Sequence, residues 1–277
     1  MSKVFGLFNI YKTTLLIMVV LSCNCLSSYG EDKIDNWKPT IIFLLGGQSN
    51  MEGQGKVSEL PKEFLTPLKN VKMWTKSGWV DLISGEKFGP EIGFAYEIAK
   101  KWPKQRIGIV KHAVGGTNLQ QWGAPDYTKA GFIFKTWMDT LEAAQKSAPN
   151  APVAGVLWMQ GESDAKDQAL AESYKVNFKN LIEAVRKEVK NKNLPFIFGK
   201  IQSKNVKFLS TVWKAQEETV REIKNAILIN TDDIQLNSDV LHFGTKGQLE
   251  LGHRFALEAI KSTSGSKREA SEKKENE

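Results

Sequence analysis

Cysteine is nearly absent from this chain, and that absence narrows the chemistry open to it. The 277 residues contain two cysteines, Cys23 and Cys25, and both lie within the first thirty residues. The rest of the sequence therefore has no thiol nucleophile, no thiolate metal ligand and no internal disulfide. Histidine is also scarce, and no histidine pair or EF-hand spacing indicates a metal site. We expect neither a metal nor a cofactor.

Concentrated positive charge is missing as well. The formal charge is +7, but no arginine-rich stripe and no alternation of aromatic with basic residues accompanies it. Those are the features by which a nucleic-acid-binding surface is recognised in a sequence. We therefore expect no nucleic-acid partner. The hydrophobic fraction of 41% and the charged fraction of 25% are typical of a globular domain.

The most apolar segment, residues 13–22, is too short to span a bilayer as a stable helix. It follows Lys3 and Lys12, so residues 1–30 are predicted to be an export leader. Cleavage near Ser28 or Gly30 would remove both cysteines. Alternatively, residues 20–23 resemble a bacterial lipobox, and a lipid on Cys23 would be the only membrane contact. The expected location is secreted, periplasmic or, as a lipoprotein, at the outer surface.

Residues 35–261 are predicted to form one alternating α/β domain. Five apolar runs have the length of strands, at residues 41–46, 107–114, 153–160, 195–201 and 226–230. Near-continuous apolarity is typical of parallel strands that are covered on both faces. The segments between them have helical spacing, so we predict a three-layer α/β/α sandwich around a five-stranded parallel sheet. The highly charged residues 262–277 are predicted to be solvated and disordered.

In such sheets, reactive groups gather where the strands end. Gly46-Gly47-Gln48-Ser49 follows the first strand, and Gly115-Gly116-Thr117-Asn118 follows the second. Glycine permits sharp turns that present a hydroxyl and leave backbone N–H groups free. Near the end of the domain, Asp239 and His242 are three residues apart, so the carboxylate can fold back onto the imidazole. The pattern predicts a serine nucleophile with a histidine base.

Five segments of the chain then match one known group of enzymes. The segment Gly47-Gln48-Ser49-Asn50-Met51 resembles the first block of the sialate O-acetylesterase/acetylxylan esterase group of the SGNH hydrolases, carbohydrate esterase family 6. The other segments begin at Gly89, Gly115, Trp158 and Asp239, in the order of the family's blocks. The resemblance covers almost the whole domain. It implies a flavodoxin-like sheet and the hydrolysis of acetyl esters on sugars.

The resemblance also implies roles for particular residues. Ser49 would be the nucleophile, and the oxyanion donors would be the N–H of Ser49, the N–H of Gly115 or Gly116, and the side chain of Gln160. Asp239 is the expected acid partner of His242, because the chain itself holds it close. Some relatives use the glutamate of the third block instead, which is Glu162 here.

Five further residues are candidates for substrate contact: Gln48, Asn50, Glu91, Asn118 and Trp122. Glu91 has an alternative role as a cap of the helix that follows it, and Trp122 has one as a packed loop residue. The remaining histidines, His112 and His253, are expected to be structural.

The expected function is therefore a serine esterase that removes acetyl groups from a carbohydrate such as xylan or sialic acid. One alternative is a carbohydrate-binding or scaffold protein with the same fold but no turnover. The presence of Ser49, Gln160, Asp239 and His242 together argues against it, since binding alone needs no such set. Another alternative is an SGNH esterase that acts on lipid or aryl esters.

Overall fold

A seven-stranded sheet lies at the centre of the fold, which this computed structural model describes for residues 37–83, 85–127 and 132–274, with side chains to residue 263. The predicted leader, residues 1–30, lies outside the described residues. From Lys38 onward the chain forms one compact unit. No helix among the described residues has the length and apolarity to cross a membrane.

The strands of the main sheet are, in chain order, β1 (Ile41–Gly47), β3 (Val71–Thr75), β4 (Gly78–Val80), β6 (Ile107–Ala113), β7 (Val153–Met159), β8 (Phe196–Gly199) and β9 (Ala226–Ile229). Two short strands, β2 (Gly55–Lys56) and β5 (Lys87–Phe88), pair separately. The spatial order of the sheet is β4-β3-β6-β1-β7-β8-β9. All neighbours pair in parallel except β3 and β4, which form an antiparallel edge.

The five predicted strands and the layered α/β class are confirmed, but the sheet is larger than predicted. Strands β3 and β4 add a parallel strand and an antiparallel edge strand that were not foreseen. Their side chains are only partly buried, apart from Val71. Strand β3 mixes Lys72 and Thr75 with apolar residues, so it lacks the continuous apolar run of a strand that is buried on both faces.

Seven helices are found in the described residues. They are α1 (Ser49–Glu52), α2 (Glu91–Lys101), α3 (Leu119–Trp122), α4 (Ile133–Ser147), α5 (Gln168–Glu188), α6 (Leu209–Glu222) and α7 (Thr245–Lys274). Helix α2 packs closely against α7, which also contacts β7, β8 and β9. Helix α4 contacts β6, and α5 packs against α6, which contacts β9. The helices cover the sheet and give the sandwich its outer layers.

The last helix extends beyond the predicted end of the domain. Helix α7 continues past Lys261 and ends at Lys274, so it includes most of the segment that was expected to be disordered. Serine, threonine and glycine make up residues 262–266, but residues 267–274 are mostly lysine, arginine, glutamate and alanine, which have high helix propensity.

The sheet brings the polar turns to one edge. In β1, Gly47 is in register with Ala113 of β6 on one side and with Met159 of β7 on the other. These three strands are adjacent and parallel, so the turns that follow them begin side by side. The segments that start at Gln48, Val114 and Gln160 therefore meet at the same edge.

Candidate active site

The turn after β1 places Ser49 at the first position of helix α1. Gly47 has a φ of +145°, and a Cβ there would lie 2.1 Å from the carbonyl oxygen of Met159, so only glycine fits. The next residue, Gln48, is buried and donates its N–H to Met159 O at 2.9 Å. Its Oε1 accepts from the N–H groups of Gly161 (3.3 Å) and Ser163 (3.2 Å). Gln48 therefore connects the turn after β1 to the turn after β7. Because its side chain is buried, the prediction that it contacts substrate is wrong.

Ser49, His242 and Asp239 form a continuous hydrogen-bonded chain. The Oγ of Ser49 lies 2.9 Å from Nε2 of His242, and Nδ1 of His242 lies 2.7 Å from Oδ2 of Asp239. An ionised carboxylate can only accept, so Nδ1 carries a proton and Nε2 is left to accept the serine hydroxyl. The structure thus brings together the three side chains that the sequence singled out.

The loop that carries Asp239 and His242 is tightly closed. A bridge between Leu236 and Phe243 joins its ends, and the N–H of Asn237 donates to His242 O at 2.7 Å. Within it, Val240 has a φ of +52°. This left-handed conformation is unfavourable for a β-branched residue, so the surrounding contacts must hold it.

Asp239 is held in its ionised form. Desolvation raises the pKa of its carboxyl, but three hydrogen bonds outweigh that effect, and the net pKa is lowered. Oδ1 accepts the backbone N–H groups of Leu241 at 3.0 Å and of His242 at 2.9 Å, and Oδ2 faces the imidazole. At neutral pH the carboxylate therefore remains charged beside His242.

Glu162, the alternative acid partner, contacts Asn50 instead of the imidazole. It is fully buried, and its Oε1 accepts from Nδ2 of Asn50 at 2.7 Å. Its Oε2 has no hydrogen-bond partner among the described residues. Burial raises the pKa of this carboxyl, although the hydrogen bond from Asn50 and the proximity of His242 oppose the rise.

Asn50 is also completely buried, so the expectation that it contacts substrate is wrong. Besides its bond to Glu162, Nδ2 donates to Leu241 O at 3.1 Å. Its Oδ1 accepts the N–H of Phe243 at 3.0 Å. The amide thus bonds to the residue before His242 and to the residue after it.

The glycine turn after β6 lies directly beside the serine. A Cβ built on Gly115 would be 3.6 Å from Cβ of Ser49, and Gly116 has a φ of +72° with open space around it. The N–H of Ser49 is at the start of a helix, where it has no intrahelical partner. Backbone donors from both turns are therefore available near the serine hydroxyl.

Gln160 does not offer its amide to this space, contrary to prediction. Its Nε2 donates to Thr117 O at 3.1 Å and to Oδ2 of Asp164, which uses both amide hydrogens. Its Oε1 is buried without a partner among the described residues. In this arrangement the side chain braces the turn after β6 and does not act as an oxyanion donor.

Asp164 connects Gln160 to the start of helix α3. Its Oδ1 accepts the N–H of Leu119 at 3.2 Å, at the start of helix α3. Burial raises the pKa of its carboxyl to about 7, despite the hydrogen bonds that it accepts from Gln160 and Leu119. The group therefore titrates in the neutral range in the folded protein.

Glu91 belongs to a buried ion pair and not to a substrate-binding rim. Its Oε2 lies 2.7 Å from Nζ of Lys111, and its Oε1 accepts the N–H of Gly89 at 2.8 Å. Lys111 also donates to Glu52 O, at the end of helix α1, at 2.9 Å. Glu91 is the first residue of helix α2, but no side chain caps that helix with a hydrogen bond, so the capping alternative is not observed either. The ion pair instead anchors the helix that carries Ser49.

The two remaining candidates for substrate contact have structural roles as well. Trp122 is fully buried against Trp137 and Trp158, and its Nε1 donates to Oγ1 of Thr117 at 3.0 Å. It has no exposed face on which a sugar could stack. The side chain of Asn118 accepts the N–H of Gln121 at 3.0 Å and caps helix α3.

The other histidines lie apart from the serine. His112 is half-buried edge-on to Trp122, and burial lowers its pKa. His253 lies 3.5 Å from Glu97, between helices α7 and α2. Within the described residues, no group of three or more histidine, cysteine, aspartate or glutamate side chains is placed to hold a metal ion.

Two residues support the site in ways that the sequence did not predict. Lys111 was not a candidate at all, and Asn50 was expected to contact substrate instead. Lys111 carried a usable signal, because a lysine within an apolar strand requires a buried partner. Asn50 carried none, since its direction follows from contacts with a loop almost two hundred residues away. Nothing local distinguishes an inward-facing amide from an outward-facing one.

Comparisons with known proteins match the chain to carbohydrate esterases. The model of the carbohydrate esterase, sialic acid-specific acetylesterase family matches residues 39–261. A probable carbohydrate esterase of Arabidopsis thaliana is 29% identical over 254 residues, covering 82% of this chain and 94% of that protein. Its crystal structure superposes with a TM-score of 0.71 at 26% identity, over 81% of this chain and 99% of the other.

Two more distant structures share the fold. XAC1771, a carbohydrate acetylesterase from Xanthomonas citri, has a TM-score of 0.66 at 23% identity, over 81% of this chain and 57% of that one. NanS has a TM-score of 0.64 at 15% identity, over 81% of this chain and 98% of that one. Fold and site together define a hydrolase of the SGNH type. The chain belongs to the carbohydrate esterase, sialic acid-specific acetylesterase family, and is a carboxylic ester hydrolase.

Proposed function

We propose that this protein hydrolyses O-acetyl esters on carbohydrates with Ser49 as nucleophile, His242 as general base and Asp239 as the group that orients it. The observation that carries the proposal is the pair of contacts made by His242, to Ser49 at 2.9 Å and to Asp239 at 2.7 Å. Both are of hydrogen-bond length, so His242 can take the proton of Ser49 while Asp239 orients the imidazole. The family supplies the class of substrate, an acetylated sugar.

In the first half of the reaction, Ser49 Oγ attacks the acetyl carbonyl while His242 Nε2 takes the hydroxyl proton. The resulting oxyanion is stabilised by the N–H of Ser49 and an N–H from the turn at Gly115 and Gly116. Collapse of this intermediate breaks the bond to the sugar oxygen, which receives the proton from His242. The products are acetyl-Ser49 and the free sugar hydroxyl.

In the second half, water attacks the acetyl-enzyme and gives a proton to His242. The second tetrahedral intermediate collapses, the proton returns to Ser49 Oγ, and acetate leaves. Asp239 remains ionised throughout and stabilises the imidazolium that forms twice. No metal or external oxidant is required at any step.

The substrate is tested by measuring acetate release from acetylated xylan and from O-acetylated sialic acid. We expect turnover of at least one of them by the wild type, and loss of that turnover in Ser49→Ala. Ser210→Ala, which removes an exposed hydroxyl on helix α6, is the matched control and is expected to behave as wild type. If neither acetylated sugar is hydrolysed and lipid esters are hydrolysed rapidly, the protein has a different SGNH activity from the one proposed.

We also infer that the protein is exported, on the strength of the basic and apolar composition of residues 1–30. Fractionation of cells that express the full chain tests this. If wild type is found in the membrane fraction and the Cys23→Ala variant in the soluble exported fraction, the result supports a lipid on Cys23. Recovery of wild type in the cytoplasm would contradict export.

A further inference from the structure

The loop that carries His242 is connected to the nucleophile helix by a buried polar network outside the triad. Asn50, the residue after Ser49, bonds to Leu241 O and to the N–H of Phe243, on either side of His242. Glu162 accepts the remaining amide hydrogen of Asn50. Asn50 and Glu162 are buried, and neither contacts the imidazole nitrogens.

We propose that Asn50, oriented by Glu162, is a positioning residue that holds His242 within reach of Ser49. The proposal rests on the function proposed above, because it concerns the geometry of the Ser49–His242 pair. It assigns to Asn50 a role different from substrate contact, and to Glu162 a role different from that of an acid partner.

The chain alone does not determine the distance between Ser49 and His242. They are 193 residues apart and lie on separate segments, a short helix and a closed loop. The loop includes Val240 in a left-handed conformation, so its shape needs external support. Two hydrogen bonds of one amide, to Leu241 O and from the N–H of Phe243, supply that support, since Asn50 moves with Ser49 while these two partners move with His242.

Glu162 determines which way the amide of Asn50 faces. The Oε1 atom of Glu162 accepts a hydrogen bond from Asn50 in either protonation state of the carboxyl, so it selects the Nδ2 side of the amide. That choice leaves Oδ1 facing the N–H of Phe243, and the second Nδ2 hydrogen facing Leu241 O. If the amide of Asn50 were flipped, Nδ2 would face the N–H of Phe243 and Oδ1 would face Leu241 O, so neither hydrogen bond to the loop could form. The glutamate therefore acts on His242 through Asn50.

The test uses the full chain and follows acetate release together with titration of active sites. Asn50→Ala is expected to lower kcat per titrated site by about tenfold to a hundredfold, because small displacements of a catalytic group have effects of that size. The KM is expected to stay within about twofold, since nothing that binds substrate is removed. Asn177→Ala, which truncates a buried asparagine on helix α5, controls for general loss of packing.

Two variants of Glu162 separate orientation from charge. Glu162→Gln keeps an oxygen that accepts from Asn50 and is expected to retain most of kcat, whereas Glu162→Ala is expected to match Asn50→Ala. The double variant Asn50→Ala/Glu162→Ala is expected to be no slower than either single variant, because both act through one contact. If Asn50→Ala does not fold, the Glu162 pair carries the same comparison.

The outcomes distinguish this proposal from the function on which it rests. Wild-type kcat per titrated site in Asn50→Ala, or effects of the two alanine variants that multiply, would overturn the positioning role while Ser49→Ala remains inactive. Equal loss in Glu162→Gln and Glu162→Ala would also overturn it, because charge would then be decisive. Unchanged turnover in Ser49→Ala would instead overturn the proposed function.

Discussion

At the scale of single residues, two carboxylates compete for the role of acid partner, and their surroundings differ. Asp239 is partly exposed, contacts Nδ1 of His242 and has a lowered pKa. Glu162 is fully buried, has a raised pKa and bonds to Asn50. The geometry therefore favours Asp239 as the group that selects the histidine tautomer.

This difference predicts a ranking of variants. Asp239→Asn is expected to lower kcat by about four orders of magnitude, because the amide no longer selects the productive tautomer of His242. Glu162→Gln is expected to cost much less, since it preserves the acceptor for Asn50. Steady-state kinetics on folded protein, checked by circular dichroism, measures both. The reverse ranking would assign the acid role to Glu162.

Ser49, Asp239 and His242, which the sequence singled out, lie together in the structure, but the residues around them face other ways than expected. Gln48, Asn50, Glu91 and Trp122 were expected to face substrate, yet the structure buries all four. A motif records which residues follow a strand, and it does not record which way their side chains point. That direction depends on contacts such as the one between Glu91 and Lys111, which are remote in sequence.

At the scale of elements, the extent of burial explains which strands and helices were predicted and which were missed. The five predicted strands are buried along much of their length, so continuous apolar runs revealed them. Strands β3 and β4, at one end of the sheet, and the four-residue helix α1 lack such a pattern. Helix α1 is held by its anchors, through Gln48 at its start and Lys111 at its end, and not by its own propensity.

The connection between β7 and α3 through Asp164 predicts a dependence of stability on pH. The carboxyl ionises near its ordinary pKa of 3.8 when unfolded and at about 7 when folded. The contribution of Asp164 to the free energy of unfolding is full below pH 3.8 and is lost as the pH rises through about 7. In this range the carboxyl is ionised in the unfolded chain but still holds its proton in the folded protein. The free energy of unfolding is therefore expected to fall across this window on account of Asp164.

Urea denaturation of wild type and Asp164→Asn between about pH 4 and pH 8 measures this contribution. The difference in unfolding free energy between them is expected to change by at most about 1.4 kcal/mol per pH unit, in favour of the variant as pH rises. Subtracting the two curves removes the contributions of the other titrating groups. A difference independent of pH would show that Asp164 does not titrate in this range.

At the scale of the whole molecule, the site lies at one edge of the sheet, where the turns after β1 and β6 meet. The turn at Gly115 lies so close to Ser49 that even a Cβ there would contact the serine side chain. A site bounded in this way suits a two-carbon acyl group. The chain belongs to an acetylesterase family, and an acetyl group has two carbons.

We therefore expect a strong preference for short acyl chains. Each added methylene would have to displace packed atoms, at about 1–3 kcal/mol or roughly tenfold to a hundredfold in kcat/KM. Aryl butyrate has two more methylenes than aryl acetate, so its kcat/KM is expected to be lower by about a hundredfold or more. Aryl octanoate is expected to be almost inert. Rates on a series of aryl esters test this, and faster hydrolysis of octanoate than of acetate would place the protein with lipid esterases.

The central claim is that Ser49 is the nucleophile activated by His242, and covalent labelling tests it most directly. Wild-type protein treated with a fluorophosphonate and mapped by mass spectrometry is expected to carry the label on Ser49 alone. Prior addition of the acetylated sugar is expected to slow labelling, and His242→Ala to abolish it on the same time scale. A label on another residue, or equal labelling of the His242→Ala variant, would contradict the account.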